Sequence, residues 1–198
     1  MKNSPVGMIA VLTLTAVIVG GVLAGAYQAL APKIEANRIE EERRAIYAVL
    51  GDIASYETIE REVTTPKGPE TIRIFKGVDS NGNPLGYAFL AEGPGFAAVI
   101  KMMVGLNVDG ATLTGLKVIE QLETPGLGNK IAEDKFQDQF KGLAIKPKIE
   151  YLKNRKPEKP YQIQAITGAT ISSKAVVDAL NARLETVLDL LGDELHGD

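Results

Sequence analysis

Apolar and polar residues follow three different rhythms along this chain. From residue 8 to 27 every position is apolar or small, and no charge falls between Lys2 and Lys33. A helix of about 20 such residues spans roughly 30 Å, enough to cross a bilayer. A cleaved signal peptide is the alternative, with residues 8–23 as its core and Ala24-Gly25-Ala26 as the cut site. The run is long for that, so an uncleaved anchor is expected. Small residues recur four apart within it, Gly21 with Gly25 and Gly20 with Ala24. They leave a face that another helix backbone could approach closely.

From residue 32 the rhythm changes to helical spacing. Residues 32–50 are predicted as a helix, with Pro32 at its start, Gly51 past its end and Ile39, Ile46, Val49 and Leu50 on one face. Short alternating runs come next. Strands are predicted at 71–75 and 85–90 around the turn-forming 79–84 loop, and at 97–104 and 113–119 around Asp109-Gly110. Residues 129–140 are predicted as a helix with Ile131, Phe136 and Phe140 facing inward, and 161–166 as a strand. Residues 172–191 place Val176, Ala179, Leu180, Leu184, Val187, Leu188 and Leu191 on one stripe of a long amphipathic helix. The pattern predicts an α+β chain: a single N-terminal transmembrane helix, then one soluble domain of antiparallel strands ending in a long helix. Its divisions are an anchor at 1–31, a juxtamembrane helix at 32–51 and the domain at 52–198.

Composition narrows the chemistry. No Cys excludes disulfides, thiol catalysis and iron–sulfur ligation, and a lone His196 excludes His-based metal sites and Ser-His-Asp catalysis. No metal site is expected. A formal net charge of −3 gives no basic footprint for nucleic acid. Lys33, Arg38, Arg43 and Arg44 come after the apolar run and only Lys2 precedes it, a count that by itself favours a cytoplasmic domain.

Two glycine-containing junctions stand out. Thr167-Gly168-Ala169-Thr170-Ile171-Ser172-Ser173 opens the last helix, where unpaired N–H groups and the helix dipole welcome an anion. The hydroxyls of Thr170, Ser172 and Ser173 suit either a phosphate or an ordinary helix cap. A serine hydrolase is disfavoured, because Ile171 holds the Ser position of a Ser-x-x-Lys motif ending at Lys174. In Glu123-Thr124-Pro125-Gly126-Leu127-Gly128-Asn129, Pro125-Gly126 fits a type II turn and Asn129 fits a cap. Its glycines would let backbone approach a flat ring, with polar contacts from Glu123 and Thr124 and apolar cover from Leu127. A third glycine group, Gly93-Pro94-Gly95-Phe96, precedes the strand at 97–104.

In this order behind one membrane span, these motifs resemble those of the FMN-binding domain family. That family includes the G subunit of Rnf electron-transport complexes and the C subunit of the sodium-pumping NADH:quinone reductase. The resemblance is carried by Gly93-Pro94-Gly95-Phe96 with Met103-Val104-Gly105, by Glu123–Gly128 and by Thr167–Thr170, and favours the Rnf branch. It implies FMN held covalently through a phosphoester to Thr170, with Thr167, Gly168, Ala169, Ile171, Ser172, Ser173, Glu123, Thr124, Gly126, Leu127 and Gly128 around it. Family members usually carry an acidic residue where this chain has Gln164, the position thought to be read by the flavin transferase that attaches FMN. The resemblance further implies a single-pass subunit of a bacterial or archaeal cell membrane, its domain on the extracytoplasmic side. Its partners would be the membrane and redox subunits of a ferredoxin:NAD⁺ oxidoreductase that moves Na⁺ or H⁺. The isolated chain would have no catalytic residues or turnover of its own. The alternative function is a membrane-tethered, non-redox binding or assembly module without flavin.

Overall fold

A computed structural model describes residues 4–65 and 68–195; His196 lies outside them. The chain divides into two compact units, Met1–Glu41 and Glu42–Asp198. Helix α1, Pro5–Leu50, is unbroken, and Pro32 lies inside it rather than at the start of a second helix. Pro32 has no N–H for the carbonyl of Gln28. The turns on either side are long enough for the helix to propagate through one missing bond. In the first unit the large apolar side chains from Val6 to Ile39 stay exposed. α1 is the one helix among the described residues long and apolar enough to cross a membrane.

The second unit is built on an antiparallel meander of five strands in sequence order. These are β1 (Ser55–Thr65), β2 (Gly68–Val78), β3 (Pro84–Pro94), β4 (Val99–Asn107) and β5 (Leu113–Glu120). Period-2 alternation sends side chains to opposite faces. Ile72, Ile74, Phe89, Met102 and Val104 join Val176, Leu180, Leu184 and Val187 of helix α3 (Thr170–Leu190) in the main core. Phe75, Ala88 and Met103, one position out of phase, meet Ala45, Ile46 and Val49 at the end of α1. Both faces are therefore covered. Thr114 Oγ1 donates to the carbonyl of Val49 at 2.6 Å, satisfying one of the acceptors left open where α1 ends.

Elsewhere the elements depart from the sequence pattern for local reasons. β1 is absent from that pattern because Ile59 and Val63 stand four apart among charged residues, a spacing that suits a helix as well as a strand. Pairing with β2 decides the matter, with Ile59 opposite Ile74. The helix expected at 129–140 is broken into a 3-10 turn at Gly128–Ala132, helix α2 at Asp134–Gln137 and a second 3-10 turn at Asp138–Phe140. Glu133 is extended (φ −79°, ψ 144°), and the Gln137 side chain is used to bond Ala132 O and Val118 N. Two short parallel strands, β6 (Glu150–Leu152) and β7 (Gln162–Gln164), complete the domain. β7 also has its free edge stitched by a side chain. Gln139 accepts from Gln164 N–H at 2.7 Å and donates to Gln164 O at 3.2 Å.

Candidate functional site

Both glycine junctions are built with the same device. In the first, Leu127 N–H donates to Thr124 O at 3.2 Å, and Gly126 takes the positive φ (74°) of a type II turn. In the second, Ala169 N–H donates to Ile166 O at 3.0 Å, and Gly168 takes φ 85°. The turns abut: a Cβ on Gly168 would lie 3.2 Å from Leu127 Cδ2. Asn129 does not act as the expected cap. The 3-10 turn begins after Leu127 without a side-chain cap, and Asn129 Oδ1 is buried with no partner.

Behind the turns lies a buried polar cluster centred on Glu123, which is 4% exposed. Its Oε2 accepts from Ser172 Oγ, and its Oε1 accepts from Ala97 N–H at 2.9 Å. Burial pushes the Glu123 carboxyl up, but Ser172 and the N–H groups of Ala97, Ala98 and Phe96 outweigh it. The carboxyl is held below its ordinary value and stays ionised. Ser173, also buried, accepts from Ile166 N–H at 3.0 Å and donates to Ala169 O at 3.0 Å. These bonds close the turn leading into α3.

In front of the turns is an open cleft of about 410 Å³, lined by Phe96, Thr124, Leu127, Gly128, Lys153, Gly168, Ala169, Thr170, Ile171 and Ser172. That volume falls in the range of about 300–1,000 Å³ usual for small-molecule sites. α3 starts at its wall. Its N-cap position is Ala169, with no side-chain hydrogen bond to the first turn. The expectation that Thr170, Ser172 and Ser173 could be plain helix caps therefore does not hold. Ser172 and Ser173 are committed to internal bonds, while Thr170 sits half-exposed at the helix start, beside the first-turn donors. Three large apolar side chains stand exposed around it: Phe96 (65%), Ile171 (58%) and Leu127 (45%).

The structure thus brings Thr124, Leu127, Gly128, Gly168, Ala169, Thr170, Ile171 and Ser172 to one cleft. Glu123 and Ser173 lie behind it, and Gly126 and Thr167 form its turns without lining it. Phe96 and Lys153 line it without having been expected there. An aromatic beside Gly95 in a glycine loop was the available signal for Phe96. Lys153 belongs to a Lys/Pro-rich loop indistinguishable in sequence from solvated surface. Gln164 and Thr167 line a separate cleft of about 510 Å³ with Lys130 and Lys135. A larger groove of about 580 Å³ along α3, lined by Lys146, Asp178, Asn181 and Glu185, holds none of the motif residues.

An antiparallel sheet with a long C-terminal helix, and a cleft at that helix's start, is the architecture of an FMN-binding domain. The model of that family matches residues 95–185, a span that contains every residue lining the cleft. The G subunit of the ion-translocating oxidoreductase complex of Methanosarcina acetivorans is 32% identical over 91% of this chain and 93% of its own length. The G subunit of the Na⁺-translocating ferredoxin:NAD⁺ oxidoreductase complex of Acetobacterium woodii is 37% identical over 68% of this chain and 64% of its own. This chain belongs to the family of Rnf G subunits. In fold it is similar to NqrC of Shewanella oneidensis, with a TM-score of 0.56 at 22% identity, over 71% of this chain and 67% of that one.

The residues present suit FMN. An uncapped helix start leaves N–H donors and the positive dipole end for a phosphate, and Lys153 adds a cation. Gly128 and Gly168 keep the cleft wall bare, and Phe96, Leu127 and Ile171 offer apolar cover to a ring.

Proposed function

We propose that this chain is the electron-transfer subunit of a membrane ferredoxin:NAD⁺ oxidoreductase, carrying FMN on Thr170. The bond is a phosphoester between Thr170 Oγ1 and the FMN phosphate, formed with net loss of one water. One observation carries this reading: of the four hydroxyls in the motif, Ser172 and Ser173 are engaged internally and Thr167 donates to Asn154 Oδ1 away from this cleft, while Thr170 stands uncommitted at an uncapped helix start on the cleft. The flavin supplies the redox chemistry when bound. Ile171 and Ser172 offer backbone donors to the phosphate, Lys153 balances its charge, and Phe96, Leu127 and Ile171 limit water at the ring.

Helix α1 is the anchor, and the domain stands on the extracytoplasmic side of a bacterial or archaeal membrane. The chain works within the Rnf assembly, handing electrons between its redox subunits, and so contributes to Na⁺ or H⁺ movement. It has no turnover alone. A flavin transferase attaches the cofactor despite Gln164, whose backbone is held in place by Gln139.

The test is the intact mass of the denatured chain from its native host, with in-gel flavin fluorescence. The expected mass is that of the chain plus FMN less one water, and Thr170→Ala removes the addition. An unmodified, non-fluorescent wild-type chain would return the protein to a non-redox tethered module. A fused reporter active only in the cytoplasm would overturn the extracytoplasmic placement.

A further inference from the structure

The buried Glu123 carboxylate lies behind the cleft and does not line it. It makes no salt bridge among the described residues, and a buried carboxylate without a cation needs another reason to be ionised. Here the charge is held by hydrogen-bond donors from two distant segments. Ala97 N–H comes from the loop between β3 and β4, 26 residues away, and Ser172 Oγ from the first turn of α3, 49 residues away. The fit around it is close. A Cβ on Gly95 would fall 2.5 Å from Oε1, and one on Gly128 would fall 2.8 Å from Oε2 and 2.6 Å from Ser172 Oγ. Neither glycine has a positive φ. At Gly128 the Glu123 and Ser172 side chains occupy the space, and at Gly95 the carboxylate shares it with the Ala98 carbonyl, 2.6 Å from such a Cβ.

Each of the three segments joined at Glu123 also supplies a wall of the cleft. The 95–98 loop supplies Phe96, the 123–128 turn supplies Leu127 and Gly128, and the start of α3 supplies Thr170 and Ile171. We propose that Glu123 is a positioning residue whose carboxylate fastens the Phe96 loop to the first turn of α3. It thereby fixes the apolar cover relative to the Thr170 anchor. This rests on the flavin reading of the cleft for its purpose, but not for the fastening itself. Length and charge both matter. Asp keeps the charge but is one methylene short of bridging two segments. Gln keeps the reach but loses the charge, and its NH₂ group can only donate, so Ser172 Oγ must turn from donor to acceptor and both links lose their charge-assisted strength.

The experiment uses the full chain in detergent and has two arms. The first is flavin-independent: amide hydrogen exchange at residues 96–98 in a Thr170→Ala background. Glu123→Ala should speed exchange there by about tenfold or more, with Glu123→Gln intermediate and the α3 core amides unchanged. The second arm measures iodide quenching of flavin fluorescence in the flavin-bearing chain. Glu123→Gln and Ser172→Ala should each raise quenching several-fold, and the double variant should do little more than either, because both cut one link. Unchanged exchange at 96–98 overturns the proposal. So does a flavin as shielded in Glu123→Gln as in wild type, since a merely stabilising residue would leave shielding intact in the folded chain. If Glu123→Ala does not fold, the Gln variant decides the first arm. If the wild-type chain carries no flavin, the proposed function fails while the exchange arm still decides the fastening.

Discussion

The back and the mouth of the cleft use the same residue types for opposite ends. At the back, Ser172, Ser173 and Glu123 are buried and fully engaged with one another and with nearby backbone. At the mouth, Thr170 is half-exposed, and the large neighbours around it are apolar and open to solvent. A hydroxyl hydrogen-bonded in the interior adds stability and is unavailable to react. One left at an uncapped helix start adds almost none and is free for chemistry. Depth, more than residue type, separates structure from function in this motif.

The sharpest way to break that contrast is Thr170→Val. It should abolish the covalent flavin entirely, as read by intact mass. It should change unfolding free energy by less than about 0.5 kcal/mol, because the cap position is Ala169. A stability loss of about 1 kcal/mol or more in a urea titration would make Thr170 a cap after all.

Gly128→Ala moves the test to the back. With a Cβ 2.6 Å from Ser172 Oγ, overpacking should cost about 2 kcal/mol in the same titration. Gly126→Ala in the same loop meets nothing within 4 Å, so only its left-handed backbone is penalised, at about 1 kcal/mol. Equal costs at the two positions would mean that the Glu123 site is not tightly filled. Ser172→Ala removes one donor to the buried carboxylate and should cost about 1–2 kcal/mol.

Acid gives a graded version of the same comparison. Glu123 is held below its ordinary value in the folded chain, so its contribution is fully present above the unfolded value of about 4.3. It is lost as pH falls through the lower folded value. Unfolding midpoints of wild type and Glu123→Gln should therefore differ at neutral pH and converge as pH falls below that lowered folded value. Parallel curves would show that the carboxylate gains nothing from its donors. The smallest effect is expected at the mouth. Phe96→Ala should leave stability within about 0.5 kcal/mol and register only as easier quenching of the flavin.

How much of this could be read in the chain varies by region. The meander was visible where apolar residues alternate and turn formers separate them, as at Asp109-Gly110, where Gly110 takes φ 59°. β1 was not, because Ile59 and Val63 suit either period and only the β2 partner chooses. The break at Glu133 was hidden too, since Ile131, Phe136 and Phe140 fit one helix face even though the backbone turns between them. In the cleft, Thr170 and Leu127 were legible from their motifs. Lys153 was not, because nothing local distinguishes a lysine that meets a cleft from one in water.

Local chemistry was enough to set the apolar run before Lys33, the amphipathic stripe of α3 and the two glycine turns, and composition was enough to exclude thiol chemistry. Each of those patterns depends on neighbours within a few residues, and short-range sterics and periodicity act at that distance. It took the folded chain to carry α1 through Pro32, to turn Glu123 inward to Ala97 and Ser172, and to leave Thr170 as the hydroxyl without an internal partner. The first rests on the length of helix on either side of Pro32, and the other two on which distant donors meet a buried carboxylate, a pairing no local pattern encodes.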